Sequence, residues 1–307
     1  MAEVLKHILE SQQFSPEILF SLFMRADELR KKCDDCLKGK VLATLFYEPS
    51  TRTRLSFESA MLRLGGSVVS TENAKEFSSA VKGESLADTI RIVSAYSDAI
   101  VIRHHETGAA TCAAEVSSVP IINAGDGKGQ HPTQALLDVY TIFREFDRLD
   151  NLKIAMVGDL ASGRTVRSLC YLLAKFPGNH IIFVSPENLR MGEDIKDFLN
   201  KKGVDFSEEV DLNKVLCDVD IIYMTRIQKE RISLEDYEKA KGKYVISMDN
   251  FSLIKPGSRI MHPLPHVEEI VIPIGIEEND KRVAYFRQAE NGLYARMALL
   301  DMILNKK

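Results

Sequence analysis

The sequence predicts an α/β protein of two domains, each a mostly parallel sheet flanked by helices, with the active site in the cleft between them. Three observations carry this expectation. The chain has 307 residues, too many for one ordinary core and a comfortable length for two α/β domains. Short apolar runs rich in strand formers alternate with longer amphipathic runs, the pattern of parallel strands covered by crossover helices. The alternation breaks at one polar stretch, Glu145-Phe146-Asp147-Arg148-Leu149-Asp150-Asn151, and then resumes. We therefore expect one domain over 1–149 and a second over 150–287, with a C-terminal helix within 288–307 packing back on the first.

Ser15 followed by Pro16 is a good helix start, and Ile18, Leu19, Leu22, Phe23 and Leu29 follow at helical spacing, so a helix is expected over Pro16–Cys36. Val41–Tyr47 reads as a strand; a polar loop, Glu48–Arg54, leads into the amphipathic helix Leu55–Leu64. Ala99–Ile102 and Val119–Ile122 read as buried strands, with helices at Ser85–Ser94, Gly108–Val116 and Pro132–Arg144. The second series has strands at Lys153–Gly158, His180–Ser185, Asp220–Met224 and Lys243–Ser247. Its helices are expected at Arg164–Phe176, Glu193–Lys202 and Leu234–Lys241, and Asn291–Asn305 closes the chain as a long helix. No fixed-period repeat is present, which disfavours a solenoid.

Hydrophobic residues make up 45% and charged residues 27%, as in a soluble chain able to bury a substantial core. A net charge of −4 without a Lys/Arg stripe argues against nucleic acid as a partner. No apolar run approaches the length that spans a bilayer, and Met1–Leu9 has no basic region leading into a long apolar one. No membrane partner is expected, and a cytoplasmic location is the simplest expectation. The five cysteines, an odd number, mostly fall inside apolar periodic segments and read as reduced packing residues. Cys33 and Cys36 form a CxxC, but no second CxxC or HxxxH completes a tetrahedral set, so no metal is expected.

In open α/β sheets ligands bind beyond the carboxyl ends of strands, which directs attention to four polar clusters. Ser50-Thr51-Arg52-Thr53-Arg54 joins hydroxyls, guanidinium groups and helix-terminal NH groups, a combination suited to phosphate. Arg52 and Arg54 diverge at a helix start, so Arg52 is expected to face the anion while Arg54 braces the loop. Arg103-His104-His105 follows a strand, and Gln130-His131-Pro132-Thr133-Gln134 opens a helix. His104 and His105, being adjacent, are expected to point to opposite sides, which disfavours joint chelation, and one or both read as structural. Gly125-Asp126-Gly127-Lys128-Gly129 lacks the GxGxxG spacing of a dinucleotide loop. Arg164 in Gly163-Arg164-Thr165 and Arg226 in Thr225–Arg231 offer forks that match carboxylates. Each of these arginines taken alone could equally be a solvated surface residue. Together the clusters suggest group transfer between a phosphorylated donor and a dicarboxylate.

Five segments then carry a family resemblance. Phe46–Arg54, His131-Pro132-Thr133-Gln134, Gly158-Asp159-Leu160 with Gly163–Val166, Met224-Thr225-Arg226 and His262-Pro263-Leu264-Pro265 resemble the aspartate carbamoyltransferases, in the family's order and over nearly the whole chain. The first motif is shared by all transcarbamylases and fixes only the donor. The aspartate branch is indicated by His262–Pro265 with Arg226-Ile227-Gln228, whereas the ornithine branch carries a cysteine in an HCLP loop and a separate SMG loop, both absent here. The rivals that remain are a transcarbamylase using another amino acid and a catalytically silent homologue serving as a binding or regulatory subunit.

The resemblance implies an early step of de novo pyrimidine biosynthesis, transfer of the carbamoyl group of carbamoyl phosphate to L-aspartate, with no cofactor. It implies that Ser50, Arg52, Thr53 and the NH of Thr51 hold the phosphate. Thr53, Arg103 and His131 would polarise the carbamoyl oxygen, and Gln134 would bind the carbamoyl amine. Arg164, Arg226 and Gln228 would bind the aspartate carboxylates, and Leu264 and Pro265 would place carbonyls near the attacking amine. Ser78 and Lys82 match a loop donated by a neighbouring subunit, Lys82 serving both substrates, which implies a homotrimer with shared sites; a separate regulatory chain is a possible partner. Two departures stand out. His266 replaces the usual arginine after HPLP, and Val81 replaces a lysine often found before Lys82. With a histidine pKa near 6.5, His266 is expected to weaken aspartate binding or make domain closure pH-sensitive, unless a neighbour such as Arg231 compensates.

Overall fold

A computed structural model describes residues 5–74, 79–227 and 242–305, so that Ser78, Gln228, Arg231 and the expected helix Leu234–Lys241 lie outside the described residues. The chain forms two compact units, Met1–Tyr140 with Glu290–Lys307, and Thr141–Ala289. Each is a parallel sheet flanked by helices.

In the first unit the order is α1 (Pro16–Lys31), β1 (Val41–Phe46), α2 (Thr51–Arg63), β2 (Ser67–Glu72), α3 (Leu86–Ser94), β3 (Ala99–His104), α4 (Ala109–Val116), β4 (Ile121–Asp126) and α5 (Pro132–Phe146). The four strands pair in parallel in the order β2-β1-β3-β4. Ile8 covers the outer edge of β4, donating to Ile121 O and accepting from Asn123 N, both at 2.8 Å. Ala43, Leu45, Ile90, Ile100, Ile102, Ala113 and Ile121 form one buried cluster, as expected of short apolar strands under helices.

Between β3 and β4 the register slips, Ile102 opposing Asn123 but His104 opposing Asp126, so the extra residue lies on β4 beside Gly125 at φ 113°. A bulge of this kind re-aims the side chains at a strand end, and here that end carries Arg103.

The second unit contains β5 (Lys153–Val157), α6 (Arg164–Leu173), β6 (His180–Val184), α7 (Glu193–Lys202), β7 (Asp205–Glu209), α8 (Asn213–Leu216) and β8 (Ile221–Met224). It continues with β9 (Ile246–Ser247), α9 (Met248–Phe251), β10 (Arg259–Met261), β11 (Ile270–Val271), α10 (Ile274–Asn279) and the start of α11 (Tyr285–Leu304). Five strands pair in parallel in the order β10-β8-β5-β6-β7, while β9 pairs with β11. Ala155, Val157, Val184, Ile222, Met224, Phe251 and Ile260 lie in its buried cluster.

Several expectations need correction. The first helix stops at Lys31, because Lys32 turns extended at φ −154°, and Cys33 and Cys36 lie beyond it. Only Cys170 is buried; Cys33, Cys112 and Cys217 are exposed, so most of the cysteines are not packing residues. The helix after the Ser50 loop starts at Thr51, four residues before the apolar stripe, because hydroxyl and guanidinium side chains form its first turn. The last helix starts at Tyr285. The strand expected at Lys243–Ser247 shortens to Ile246–Ser247. β2 and β7 were not expected, since both lie at sheet edges with mostly exposed side chains and so lack an apolar signature.

Candidate active site

Both sheets have a topological switch point, and the residues singled out from sequence sit at both. In the first unit β1 connects onward to β2 on one side, and the chain then returns to β3 on the other, so loops after β1 and β3 diverge and leave a crevice. The loop after β1 carries Ser50–Thr53, and β3 ends with Arg103, which pairs in register with Phe46. Tyr47 N donates to Arg103 O at 2.9 Å, fastening the two strand ends together.

Ser50 is the N-cap of α2, yet its hydroxyl does not cap the helix. Ser15 and Ser85, in the same position on α1 and α3, do cap theirs, accepting from Ile18 N at 3.3 Å and Asp88 N at 3.1 Å. The first amides of α2 are thereby left without a side-chain acceptor at the positive end of the helix dipole, where an anion is stabilised. Thr53 is buried; Thr51 and Arg52 are exposed. Arg54 turns away, donating to Glu58 at 3.3 Å, to Ser70 Oγ at 3.3 Å and to Glu72 at 2.7 Å, so it ties α2 to β2.

Arg103 is held from two sides, by Ala124 O at 3.3 Å and by Glu48 at 3.4 Å in the loop that leads to Ser50. His131, just before α5, and Gln134, on its first turn, are both buried. His131 Nδ1 lies 3.4 Å from Thr133 Oγ1, and Gln134 Nε2 donates to Asp138 Oδ1 at 2.9 Å. Lys82 is exposed on the turn Ser79–Lys82 and makes no ion pair with any described residue.

His104 and His105 do not diverge as expected. Their rings stack at 4.3 Å because the chain bends at the end of β3. His104 is structural: it is buried against Tyr47 and its Nδ1 accepts from Glu106 N at 3.1 Å. Burial, then the neighbouring His105, holds its pKa below the ordinary value. The glycine loop is organised by Asp126, whose carboxylate accepts from Gly108 N at 2.8 Å and Gln130 N at 3.1 Å. Among the described residues no group of three or more His, Cys, Asp or Glu could hold a metal ion.

In the second unit the switch point lies between β5 and β8. Gly158 directly follows β5, and Arg164 opens α6, whose N-cap Gly163 provides no side-chain cap. Thr225 follows β8, its N and Oγ1 both donating to Val157 O at 2.8 Å, so Arg226 leaves the sheet directly beside the end of β5. Arg164 and Arg226 are both partly exposed.

Leu264 has a positive φ of 57° and is followed by a cis bond to Pro265. Sequence reasoning missed what holds that loop. Leu264 N donates to His262 Nδ1 at 2.7 Å, so the ring proton sits on Nε2 and faces buried Glu269 at 2.8 Å. Glu269 also accepts from the backbone NH groups of Val267 at 3.3 Å and Glu268 at 3.1 Å. His266 belongs to a separate contact, Nε2 lying 3.0 Å from Glu277 Oε1, to which Tyr285 OH also donates.

Burial works to raise the Glu269 carboxyl, but the bond from His262 and those from the backbone outweigh it and hold the pKa below its ordinary 4.5. A depressed carboxyl contributes stability that is complete above its unfolded value and disappears as pH falls through the folded one. Glu269→Gln is therefore expected to cost about 1–2 kcal/mol near neutrality and to flatten the acid-side loss of stability below about pH 4.5. Urea unfolding followed across that pH range checks this; an unchanged acid limb contradicts it.

The two switch points define the class: an open α/β fold with hydroxyls, arginines and a helix N-terminus that its own N-cap side chain does not cap at one of them, and two partly exposed arginines at the other, groups suited to anions. Comparison with known proteins makes the class specific. Residues 6–144 match the family described as aspartate/ornithine carbamoyltransferase, carbamoyl-P binding domain, and residues 150–303 match the Asp/Orn binding domain. The chain is 56% identical over 307 residues to aspartate carbamoyltransferase 2, chloroplastic, of Pisum sativum, covering 98% of this chain and 79% of that one. It is 46% identical over 303 residues to the aspartate carbamoyltransferase catalytic subunit of Vibrio cholerae, covering 98% and 97%. Among solved structures it resembles the catalytic subunit of M. jannaschii aspartate transcarbamoylase (TM-score 0.89, 47% identity, 97% and 98% covered). It also resembles aspartate transcarbamoylase from Trypanosoma cruzi in complex with carbamoyl phosphate and aspartate (TM-score 0.90, 38% identity, 97% and 95% covered).

The chain belongs to the aspartate/ornithine carbamoyltransferase family, on its aspartate side. Its reaction transfers the carbamoyl group of carbamoyl phosphate to the amine of L-aspartate, giving N-carbamoyl-L-aspartate and phosphate, an early step of de novo pyrimidine biosynthesis.

Proposed function

We propose that the first unit binds carbamoyl phosphate through Ser50, the NH of Thr51, Arg52 and Thr53, with Thr53, Arg103 and His131 polarising the carbamoyl oxygen and Gln134 receiving the carbamoyl amine. The observation that carries this reading is the uncapped N-terminus of α2 beside Arg103 at the switch point. The second unit binds aspartate, Arg164 and Arg226 holding its carboxylates and Gln228 assisting, while the carbonyls of Leu264 and Pro265 accept from the attacking amine.

The neutral α-amine attacks the carbamoyl carbon, and the tetrahedral oxyanion forms against donors already in place. No protein nucleophile takes part. The departing phosphate accepts the amine proton, so no Asp or Glu general base is needed; a collapse of turnover on replacing one nearby carboxylate, with binding intact, contradicts this step. In acceptor assays L-aspartate is expected to yield carbamoyl aspartate and phosphate, with ornithine and N-acetylornithine giving neither. Equal use of ornithine rejects the assignment of Arg164 and Arg226.

We further propose a cytoplasmic homotrimer in which Ser78 and Lys82 act in a neighbouring subunit's site. The support is that Lys82 is exposed and paired with no described residue of its own chain. Native mass is expected at three times 34.5 kDa. Mixing inactive Lys82→Gln chains with inactive Arg103→Ala chains is expected to restore activity, because some sites in the hybrids then carry both native residues. Among the described residues no helix is long and apolar enough to cross a membrane.

A further inference from the structure

Behind Gln134 lies a set of buried charges that the reaction itself does not use. Gln134 Nε2 donates to Asp138 Oδ1 at 2.9 Å, and Asp138 is completely buried. Arg296, on α11, is also buried, its guanidinium 5.1 Å from the centre of the Phe57 ring on α2. Burial pushes the Arg296 guanidinium down to about 10, and the Asp138 charge works against that push. It therefore remains a cation near neutrality.

The sequence makes room for this cation. Gly292 lies one turn earlier in the interior of α11, and a Cβ there would come within 2.6 Å of Arg296 Nη1. Glycine inside a helix costs about 1 kcal/mol relative to alanine, so the position trades helix stability for a seated guanidinium. Burying charged groups is seldom a net gain in stability over apolar packing, which suggests another use for them.

That use follows from hydrogen-bond chemistry. A primary amide has a donor end and an acceptor end of nearly the same shape, and only its partners decide which way it faces. An ionised carboxylate can only accept, so Asp138 binds the NH2 end of Gln134 and leaves Oε1 for the ligand. We propose that the buried Asp138 is a specificity-determining positioning residue: it fixes the Gln134 amide so that the site presents an acceptor, selecting a donor that carries N–H over an acyl phosphate that does not. This rests on Gln134 receiving the carbamoyl amine.

The test compares the affinities of carbamoyl phosphate, acetyl phosphate and inorganic phosphate. Acetyl phosphate has a methyl group where carbamoyl phosphate has NH2, and inorganic phosphate reports the cradle of α2 alone. The native chain is expected to prefer carbamoyl over acetyl phosphate by about 10- to 100-fold, the scale of one buried polar group left unpaired. Asp138→Asn is expected to reduce that preference to about threefold or less with phosphate affinity unchanged, because an asparagine accepts or donates and frees the amide to turn. Should that variant fail to fold with Arg296 unbalanced, the neutral pair Asp138→Asn with Arg296→Met removes both charges and is expected to show the same loss. A full preference in whichever variant folds, as shown by phosphate binding, overturns the proposal. Gln134→Ala separates the two levels: if it keeps the preference, the reading of Gln134 itself fails; if it loses the preference while the Asp138 variants keep it, only this inference fails.

Discussion

Arg103→Ala is expected to lower turnover by roughly 100- to 1,000-fold, the usual effect of removing one oxyanion donor. The guanidinium is positioned before any ligand arrives. Its strand is locked to β1 through Tyr47, and its two terminal nitrogens are engaged by Ala124 O at 3.3 Å and Glu48 at 3.4 Å. In the proposed oxyanion role, a donor held in this way needs little reorganisation as charge develops on the carbamoyl oxygen, so its contribution is expected in the chemical step rather than in ground-state binding. The loss should therefore fall mainly on kcat, with a smaller change in phosphate affinity. Arg103→Lys should recover little, because an ammonium cannot keep a planar fork on both Ala124 and Glu48 while directing a donor at substrate. Turnover within a few-fold of native in Arg103→Ala would remove this residue from the oxyanion role.

The parts legible in the sequence share a physical cause. β1, β3, β5, β6 and β8 are central or covered strands whose apolar runs report burial directly, and the loops after them are where an open sheet puts its ligand groups. Ser50–Thr53, Arg103, Arg164 and Arg226 lie at or just beyond the ends of those strands, where their order in the sequence puts them. The divergence of Arg52 and Arg54 was also legible, because two residues separate directions on a helix by more than half a turn.

What escaped depends on contacts remote in sequence. β2 and β7 are edge strands with exposed side chains, indistinguishable in composition from loops. The stacking of His104 on His105 depends on a bend beyond β3 that strand alternation cannot anticipate. The bracing of Leu264 by His262 and Glu269, and of Gln134 by Asp138, joins residues whose pairing only the packed unit defines. The contact of the His266 ring with Glu277 and Tyr285 likewise joins residues apart in sequence.

Gly158→Ala is expected to destabilise the second unit by about 3 kcal/mol or more, an effect as large as that of a buried leucine truncation. Gly158 has φ 115°, a conformation that alanine adopts only with strain. Space is tighter still: a Cβ there would lie 2.3 Å from Thr225 O and 2.6 Å from Thr225 Oγ1. Thr225 cannot retreat cheaply, because its N and Oγ1 are both bonded to Val157 O at 2.8 Å, so any movement strips β8 from β5 where the switch point opens. Arg226 is the next residue, and Arg164 follows Gly158 after one short loop, so the same displacement that weakens the fold moves the proposed aspartate arginines. The variant should therefore melt earlier and show a raised KM for aspartate, while its affinity for inorganic phosphate stays near native, since the α2 cradle belongs to the first unit. An unshifted melting curve would mean that Thr225 yields freely and that the ends of β5 and β8 are not rigidly coupled. A loss of phosphate affinity in step with the loss of aspartate affinity would mean instead that damage at this position reaches both ligand-binding units.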